Sequence, residues 1–189
     1  MALNTTATVS ADIVFQQQDT DPKSTTNFQG SIGYSESLVS GTGVDIKQID
    51  SVYNLQDYVI PSGGTGTFNF KELQQSIFNT SITIPMTGLK SLIISNKNTG
   101  IAEYLLVNTT GSNAFTNLFN GGTGNVKVNA GGAFVYADPL WGAAVTSSNK
   151  YLYVVNAGKE HGNNAANTGI QISVVAVGIT GAEITSLRS

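Results

Sequence analysis

The apolar residues between Leu89 and Thr180 come in short runs of four to seven, rich in Val, Ile, Leu and Tyr, and Gly, Asn or Asp closes each run. Runs of this length, separated by turn-forming residues, are typical of β-strands rather than of helices. Nearer the N-terminus, every second residue from Ala7 to Phe15 is apolar, which is the alternation of a half-buried strand. The sequence therefore predicts an all-β protein.

About ten such segments follow one another at intervals of roughly 8–12 residues, a spacing typical of a sandwich. We therefore predict a jelly-roll-like β-sandwich of about ten short antiparallel strands. At 189 residues, the chain is long enough to bury one core without cross-links. We expect a single β-sandwich domain over residues 1–189, in which residues 1–5 could form an N-terminal arm and residues 181–189 a C-terminal tail.

One segment of the N-terminal half favours a short helix. In Lys71–Asn79 (KELQQSIFN), Leu73 and Ile77 are four residues apart. Side chains at this spacing meet on one face of an α-helix. We therefore predict a helix of about two turns here.

A second helical turn is predicted at Asn113–Phe119. Asn113 could cap the turn, and Phe115, Leu118 and Phe119 would then lie on one of its faces. We expect this turn to plug an open end of the sandwich, with Phe115 and Phe119 both in the core.

Two polar segments predict loops. Gln16–Asn27 contains the pair Asp21-Pro22, which is typical of a turn, and Ala157–Thr168 (AGKEHGNNAANT) has no strand pattern. The second loop holds His161, the only histidine of the chain. We interpret His161 as an exposed loop residue, because the segment around it is polar throughout.

The charge of the chain argues against a nucleic-acid partner. Only 11% of residues are charged, the net charge is −3, and the closest cations in sequence, Lys90 and Lys97, are well separated. Nucleic-acid binding needs clustered cations that neutralise phosphates. A polar surface with so few charges has little self-repulsion, so we expect a homo-oligomer.

The N-terminus shows no basic start followed by an apolar run, so we expect no signal peptide. No apolar run approaches the roughly 20 residues that span a bilayer, so we expect no membrane partner.

Candidate chemistry is sparse. A single histidine and no cysteine leave no His-based triad or thiolate metal site. Asp19 and Asp21 could present two carboxylates to a divalent cation, although a solvated turn is the simpler interpretation. The run 121–124 (GGTG) lacks the Gly-Lys-Ser/Thr of a phosphate loop. We therefore predict no catalytic, cofactor-binding or metal-binding residue, no cofactor and no enzymatic activity.

Four aromatic residues are the remaining candidates for ligand binding. Trp141, Tyr136, Tyr151 and Tyr153 could form a face on which a sugar stacks, or could serve packing or an interface between subunits. The sequence leaves these alternatives open.

The second half of the chain resembles a group of small β-sandwich virion structural proteins of tailed bacteriophages. The pattern is LKxLxIxN, NAFxxxFxG, VxVxxGGxF, ADPxxGxxVT, LxVxNxG and IxxVxVGI, found here at Leu89–Asn96, Asn113–Gly121, Val126–Phe134, Ala137–Thr146, Leu152–Gly158 and Ile170–Ile179. A looser similarity extends the match to roughly residues 30–180. The chain departs from the pattern in its longer loop around His161 and in the residues after Thr180.

This resemblance implies a non-enzymatic protein of a phage particle, made in the host cytoplasm and located in the virion. Its partners would be copies of itself and other virion proteins, in a decoration, minor capsid, spike or tail position. Residues 1–29 contain a single lysine, Lys23, where a genome-contacting arm would be basic. The alternative is a carbohydrate-binding or receptor-binding module that recognises a host-surface glycan through Trp141 and the nearby tyrosines.

Overall fold

The computed structural model describes residues 6–21, 24–41, 47–77, 79–100, 103–157 and 169–181. These residues form fourteen strands, and the only helical element among them is one 3-10 turn, Thr116–Phe119. The strands are β1 (Ala7–Asp21), β2 (Ser24–Ser40), β3 (Gln48–Ile49), β4 (Ser51–Ile60), β5 (Thr65–Asn69), β6 (Leu73–Ile77), β7 (Thr80–Ile84), β8 (Gly88–Asn96), β9 (Leu105–Asn108), β10 (Asn125–Val128), β11 (Ala133–Ala137), β12 (Ala143–Ala144), β13 (Tyr151–Asn156) and β14 (Ile170–Ile179). The prediction of an all-β fold is confirmed, with more strands than the ten or so expected.

Eight of these strands form two sheets with the connectivity of a jelly roll. The first sheet has the order β4–β14–β8–β11, with β12 pairing to β8 beyond β11, and the second has the order β5–β13–β9–β10. The eight strands, renumbered 1 to 8 in chain order, are β4, β5, β8, β9, β10, β11, β13 and β14. In this numbering the first sheet has the order 1-8-3-6 and the second has the order 2-7-4-5. These are the strand orders of the double Greek key of a jelly roll. Every pair within these two sheets is antiparallel.

The inner faces of the two sheets share one hydrophobic core. In β13, Leu152 and Val154 are fully buried and their neighbours are half-exposed, because successive side chains of a strand point to opposite faces. Val174 and Ala176 of β14 meet them from the other sheet. This packing is the β-sandwich that the alternating sequence predicts.

β1 and β2 form a long antiparallel ribbon outside the sandwich sheets. Their pairing runs without interruption from Ala7 opposite Leu38 to Asp21 opposite Ser24, which makes fifteen residues in β1. At the usual rise per residue, the ribbon is about 50 Å long, whereas the ten-residue strands of the sandwich span about 33 Å. The ribbon is therefore longer than the sheet beside which it begins.

The foot of the ribbon packs on the outer face of the first sheet. Val9, Leu38 and Ile49 contact Val177 of β14 and form a second, smaller hydrophobic cluster. Two residues further along β1, Ala11 is exposed, and its partner Tyr34 is 42% exposed. The described side chains of the ribbon thus lose contact with the sandwich shortly beyond the foot.

The prediction of a loop at Gln16–Asn27 is wrong, because most of this segment belongs to the antiparallel pairing of β1 with β2. Gln16 pairs with Gln29 and Asp19 pairs with Thr26, so the two strands continue as far as Asp21 and Ser24. A polar sequence can form a β-ribbon because cross-strand backbone hydrogen bonds do not depend on side-chain polarity. The other predicted loop, Ala157–Thr168, lies outside the described residues except for its first residue, as do residues 1–5 and most of 181–189.

The helix predicted at Lys71–Asn79 is also wrong, because this segment is one side of the β6–β7 hairpin. Leu73 pairs with Ile84, and Asn79 adopts a left-handed conformation in the turn, with φ of 62°. Residues four apart lie on the same face of a strand as well as of a helix, so the spacing of Leu73 and Ile77 fits both. Burial of Leu73 against the core selects the strand.

The turn predicted at Asn113–Phe119 is present in a shorter form. The 3-10 turn begins at Thr116, and no side chain caps it; Asn113 instead has a φ of 54°, and its carbonyl accepts hydrogen bonds from the backbone of Lys150 and Tyr151. Phe115 is fully buried and fills the end of the core as expected. Phe119 is only half-buried, so the plug is smaller than predicted.

Candidate interaction surfaces

The described residues contain no cluster of three or more His, Cys, Asp or Glu side chains that could hold a metal ion. Asp19 and Asp21 lie on β1, but their side chains, like the whole of His161, fall outside the described part of the chain. The interpretation of Asp19 and Asp21 as a turn is wrong, because both residues pair with β2. Cation binding by their carboxylates and the exposure of His161 stay predictions.

Within the described ranges, no helix has the length and apolar character needed to cross a membrane.

The four candidate aromatic residues do not share one face of the molecule. Tyr136 lies on β11 and packs, half-buried, against the core. Trp141 follows β11 in a loop at the first sheet and is 43% exposed. Tyr151 and Tyr153 lie on β13 of the second sheet, and the residues between and beside them point into the core. The structure thus keeps only Tyr151 and Tyr153 together.

Tyr151 and Tyr153 form a pair on the outer face of the second sheet. Their ring centroids are 6.3 Å apart, and the Lys150 ammonium lies 5.0 Å from the centroid of Tyr151. The Tyr153 hydroxyl donates a hydrogen bond to the carbonyl of Ser112 at 3.0 Å, which fixes its ring. The pair offers half-exposed aromatic surface beside a cation.

The loop that carries Trp141 is anchored by Lys90, a buried lysine. Lys90 forms a β-bulge in β8. Val177 of β14 pairs with Ser91, and the next residue of β14, Gly178, pairs with Leu89, so the pairing skips Lys90. The Lys90 ammonium donates a hydrogen bond to the carbonyl of Leu140 at 2.7 Å. The β-bulge thus directs a lysine onto the loop from beneath.

Two further hydrogen bonds fix the same loop. The backbone N–H of Asp138 donates to the carbonyl of Lys90 at 2.9 Å, and the Asp138 carboxylate accepts from the backbone N–H of Trp141 at 3.0 Å. Leu140 and Trp141 are held exposed at the tip, so the loop is a rigid apolar projection.

Burial lowers the pKa of Lys90 below its ordinary value of 10.5, and the nearby charge of Asp138 opposes this shift. Since the unfolded chain then binds the proton more strongly than the folded one, the free energy of unfolding should rise with pH between the lowered pKa and 10.5. We expect urea titrations to show this rise at alkaline pH, below the ordinary tyrosine pKa of 10.0. Burial raises the pKa of Tyr53 above 10.0. Tyr53 therefore lowers the free energy of unfolding as the pH rises, but only above this pH range.

The control for this prediction is Lys90→Met, which keeps the length of the side chain and removes its charge. The rise of stability with pH should be smaller in Lys90→Met than in the wild type. An equal rise in both proteins would show that Lys90 titrates normally.

The outer face of the first sheet is an uncharged surface that was not predicted from the sequence. Two rows of paired residues cross it from β11 to β4: Val135, Ile93, Val175 and Asn54 in one row, and Ala137, Ser91, Val177 and Val52 in the other. Val135 is 49% exposed. We call these eight residues the outer patch.

The foot of the ribbon leaves a groove along the outer patch. The groove has a volume of about 260 Å³ and lies between Thr6–Ser10 of the chain and the side chains of Val52, Ile93 and Val175. The consecutive apolar residues at 92–94 of β8 and at 174–177 of β14 could have indicated that both faces of these strands are apolar. The pairing that places the four strands side by side is what makes the outer patch a continuous surface.

No protein-family model, no curated protein and no solved structure matches this chain.

Proposed function

We propose that this chain is a non-enzymatic virion structural protein of a bacteriophage, which acts by self-assembly and by contact with other virion proteins. Capsid decoration, minor capsid, spike and tail positions all suit such a protein. The jelly roll is a fold of viral capsid proteins, but also of lectins and cupins, so the fold supports the proposal only by analogy. The motifs that resemble tailed-phage virion proteins favour the viral alternative.

The observation that carries the proposal is the combination of the ribbon and the outer patch. The outer patch contains no charged residue, and its exposed valines adjoin the place where the ribbon foot already packs. A two-stranded ribbon is marginally stable by itself in water and gains stability from packing against another surface. The ribbon extends beyond the described contacts with its own sandwich, so a neighbouring copy would supply that surface.

We therefore expect the purified protein to be an oligomer at micromolar concentration in sedimentation velocity. Two changes should convert it to the monomer. One replaces residues 13–32 by Asn-Gly, which closes the shortened ribbon with a two-residue turn and keeps the foot at Val9 and Leu38. The other is Val135→Lys, which places a charge in the outer patch and would bury it at an interface.

The matched control is Asn125→Lys, at an exposed position of β10, the edge strand of the second sheet. Asn125→Lys should leave the oligomer unchanged. A wild-type protein that sediments as a 19.7 kDa monomer would contradict the proposal of self-assembly in solution. An oligomer that survives both changes would mean that other surfaces form it.

Electron microscopy of particles tests the location. Antibodies against the purified protein should label phage particles in negative stain, and the position of the label would distinguish a head protein from a tail protein. Particles that contain no such protein, while the host cell does, would contradict a virion role.

A carbohydrate-binding module is the second candidate function. The half-exposed pair of Tyr151 and Tyr153 favours it, since flat aromatic surfaces can pack against sugars. Trp141 lies elsewhere on the molecule, so the site would be smaller than the four-residue platform inferred from the sequence. Saccharide binding, measured as described below, separates this candidate from a purely structural role.

A further inference from the structure

A cleft of about 260 Å³ opens where the edges of the two sheets meet, between β4 and β5. Its walls are aromatic: Tyr53 and Tyr58 from β4 and Phe68 from β5. Its rim is polar and includes Asn69, Glu72 and Gln74. Concave sites with apolar walls and a few polar groups are the usual form of small-molecule sites, and this volume lies near the lower end of their range.

Tyr53 contributes the one hydroxyl of the deeper wall. It is 4% exposed and lines the cleft. Burial raises its pKa above 10.0, and the neighbouring Tyr58 adds to the shift. A phenolic hydroxyl can both donate and accept a hydrogen bond, so Tyr53 offers a polar partner to a ligand held between the aromatic walls.

The other walls supply a stacking surface. Tyr58 is 40% exposed and meets Phe68 edge to face, with ring centroids 6.3 Å apart and planes at 70°. This arrangement holds the Tyr58 ring in place while part of its surface remains open to the cleft.

A carboxylate at the rim completes the set of polar groups. One oxygen of Glu72 accepts a hydrogen bond from the Asn69 side chain at 3.2 Å. The carboxylate is exposed, and its remaining lone pairs can accept hydrogen bonds from a ligand. Among the described residues that line the cleft there is no lysine, arginine or histidine, which disfavours an anionic ligand.

We propose that this cleft binds one ring of a neutral saccharide, a pyranose, with its apolar face against Tyr58 and its hydroxyls hydrogen-bonded to Tyr53 and Glu72. A quaternary ammonium would also suit aromatic walls beside a carboxylate, but it has no donor or acceptor for the Tyr53 hydroxyl. The saccharide satisfies all three groups. This inference rests on the second candidate function, at a site different from the Tyr151–Tyr153 pair, and is independent of self-assembly.

The test is saturation-transfer NMR with the methyl glycosides of glucose, galactose, mannose and N-acetylglucosamine, and with tetramethylammonium as a separate probe. At least one glycoside should bind to the wild type. Tyr53→Phe removes one hydrogen bond and should weaken this binding about threefold to tenfold. Tyr58→Ala should weaken it more than tenfold, because the stacking surface is lost.

Two controls separate the cleft from other sites and from misfolding. Trp141→Ala and Tyr151→Ala, which remove aromatic rings outside the cleft, should leave this binding unchanged. Tyr53→Phe should have a melting temperature close to that of the wild type, since it keeps the buried ring and its packing.

Several outcomes would overturn the proposal. They are binding of none of the glycosides, binding of tetramethylammonium alone, or binding that is insensitive to Tyr53→Phe and Tyr58→Ala. Loss of binding in Tyr151→Ala or Trp141→Ala, with the cleft variants unaffected, would place the sugar site at those aromatics and retain the second candidate function.

Discussion

Phe115→Ala should lower the free energy of unfolding by about 3–5 kcal/mol, the range for truncation of a fully buried phenylalanine. The Phe115 side chain is completely buried, and its ring meets that of Phe70 edge to face, with centroids 5.0 Å apart. Its backbone N–H donates to the carbonyl of Tyr151 at 2.8 Å, so the backbone cannot readily shift to fill the cavity. Urea denaturation followed by tryptophan fluorescence and circular dichroism would measure the loss.

Two other substitutions calibrate this result. The sequence alone predicts the same loss for Phe119→Ala, but Phe119 is half-buried, with its ring 6.5 Å from that of Phe134, so we expect about 1–2 kcal/mol. His161→Ala should change stability by less than about 0.5 kcal/mol, as for ordinary surface residues. If His161→Ala were the most damaging of the three, the interpretation of His161 as an exposed loop residue would be wrong.

Gly178→Ala should destabilise the protein by at least about 3 kcal/mol, because the added methyl group has no space. Gly178 lies in β14, between β8 and β4, where β8 carries the Lys90 bulge. A Cβ atom at this position would be 2.4 Å from the carbonyl oxygen of Gly88 and 2.9 Å from the sulfur of Met86. The carbonyl belongs to the backbone of a central strand, so relief requires the two strands to separate.

Gly66→Ala is the matched control, since Gly66 is also a buried glycine of a sandwich strand. Its Cβ would meet only the ends of side chains, the nearest being Ile60 Cδ1 at 3.2 Å, which can move by a few tenths of an ångström. We expect a loss below about 1.5 kcal/mol for Gly66→Ala. Urea midpoints of the two variants, measured side by side, should differ clearly; equal midpoints would contradict the backbone clash at Gly178.

The segment 71–79 shows why local pattern alone selected the wrong element. Leu73 and Ile77 satisfy both a period of 3.6 and a period of 2 over so short a segment, and nothing within it distinguishes the two. The distinction comes from Ile84, which pairs with Leu73 across a hairpin and lies in the same core.

The candidate surfaces also depend on tertiary structure that the local sequence does not predict. The exposure of Trp141 depends on Lys90, a lysine that charge counting would place on the surface but that a β-bulge directs into the protein. The four aromatics chosen from sequence proximity are spread over two sheets and the core. The cleft combines Tyr53 and Phe68, whose closeness in space follows from two strands at the edges of different sheets.

The sequence by itself determined the all-β class, the jelly-roll-like sandwich and most strand positions, because alternation and turn residues act between near neighbours. The tertiary structure decided the length of the ribbon, the strand at residues 73–77, the continuity of the outer patch and the position of the cleft. The ribbon and the strand at residues 73–77 depend on hairpin partners that lie outside the segment whose pattern is read. The outer patch depends on pairing between distant segments, such as Val52 with Val177 across β4 and β14. The free energy of such pairing comes from burial against residues far along the chain, and no local pattern encodes it.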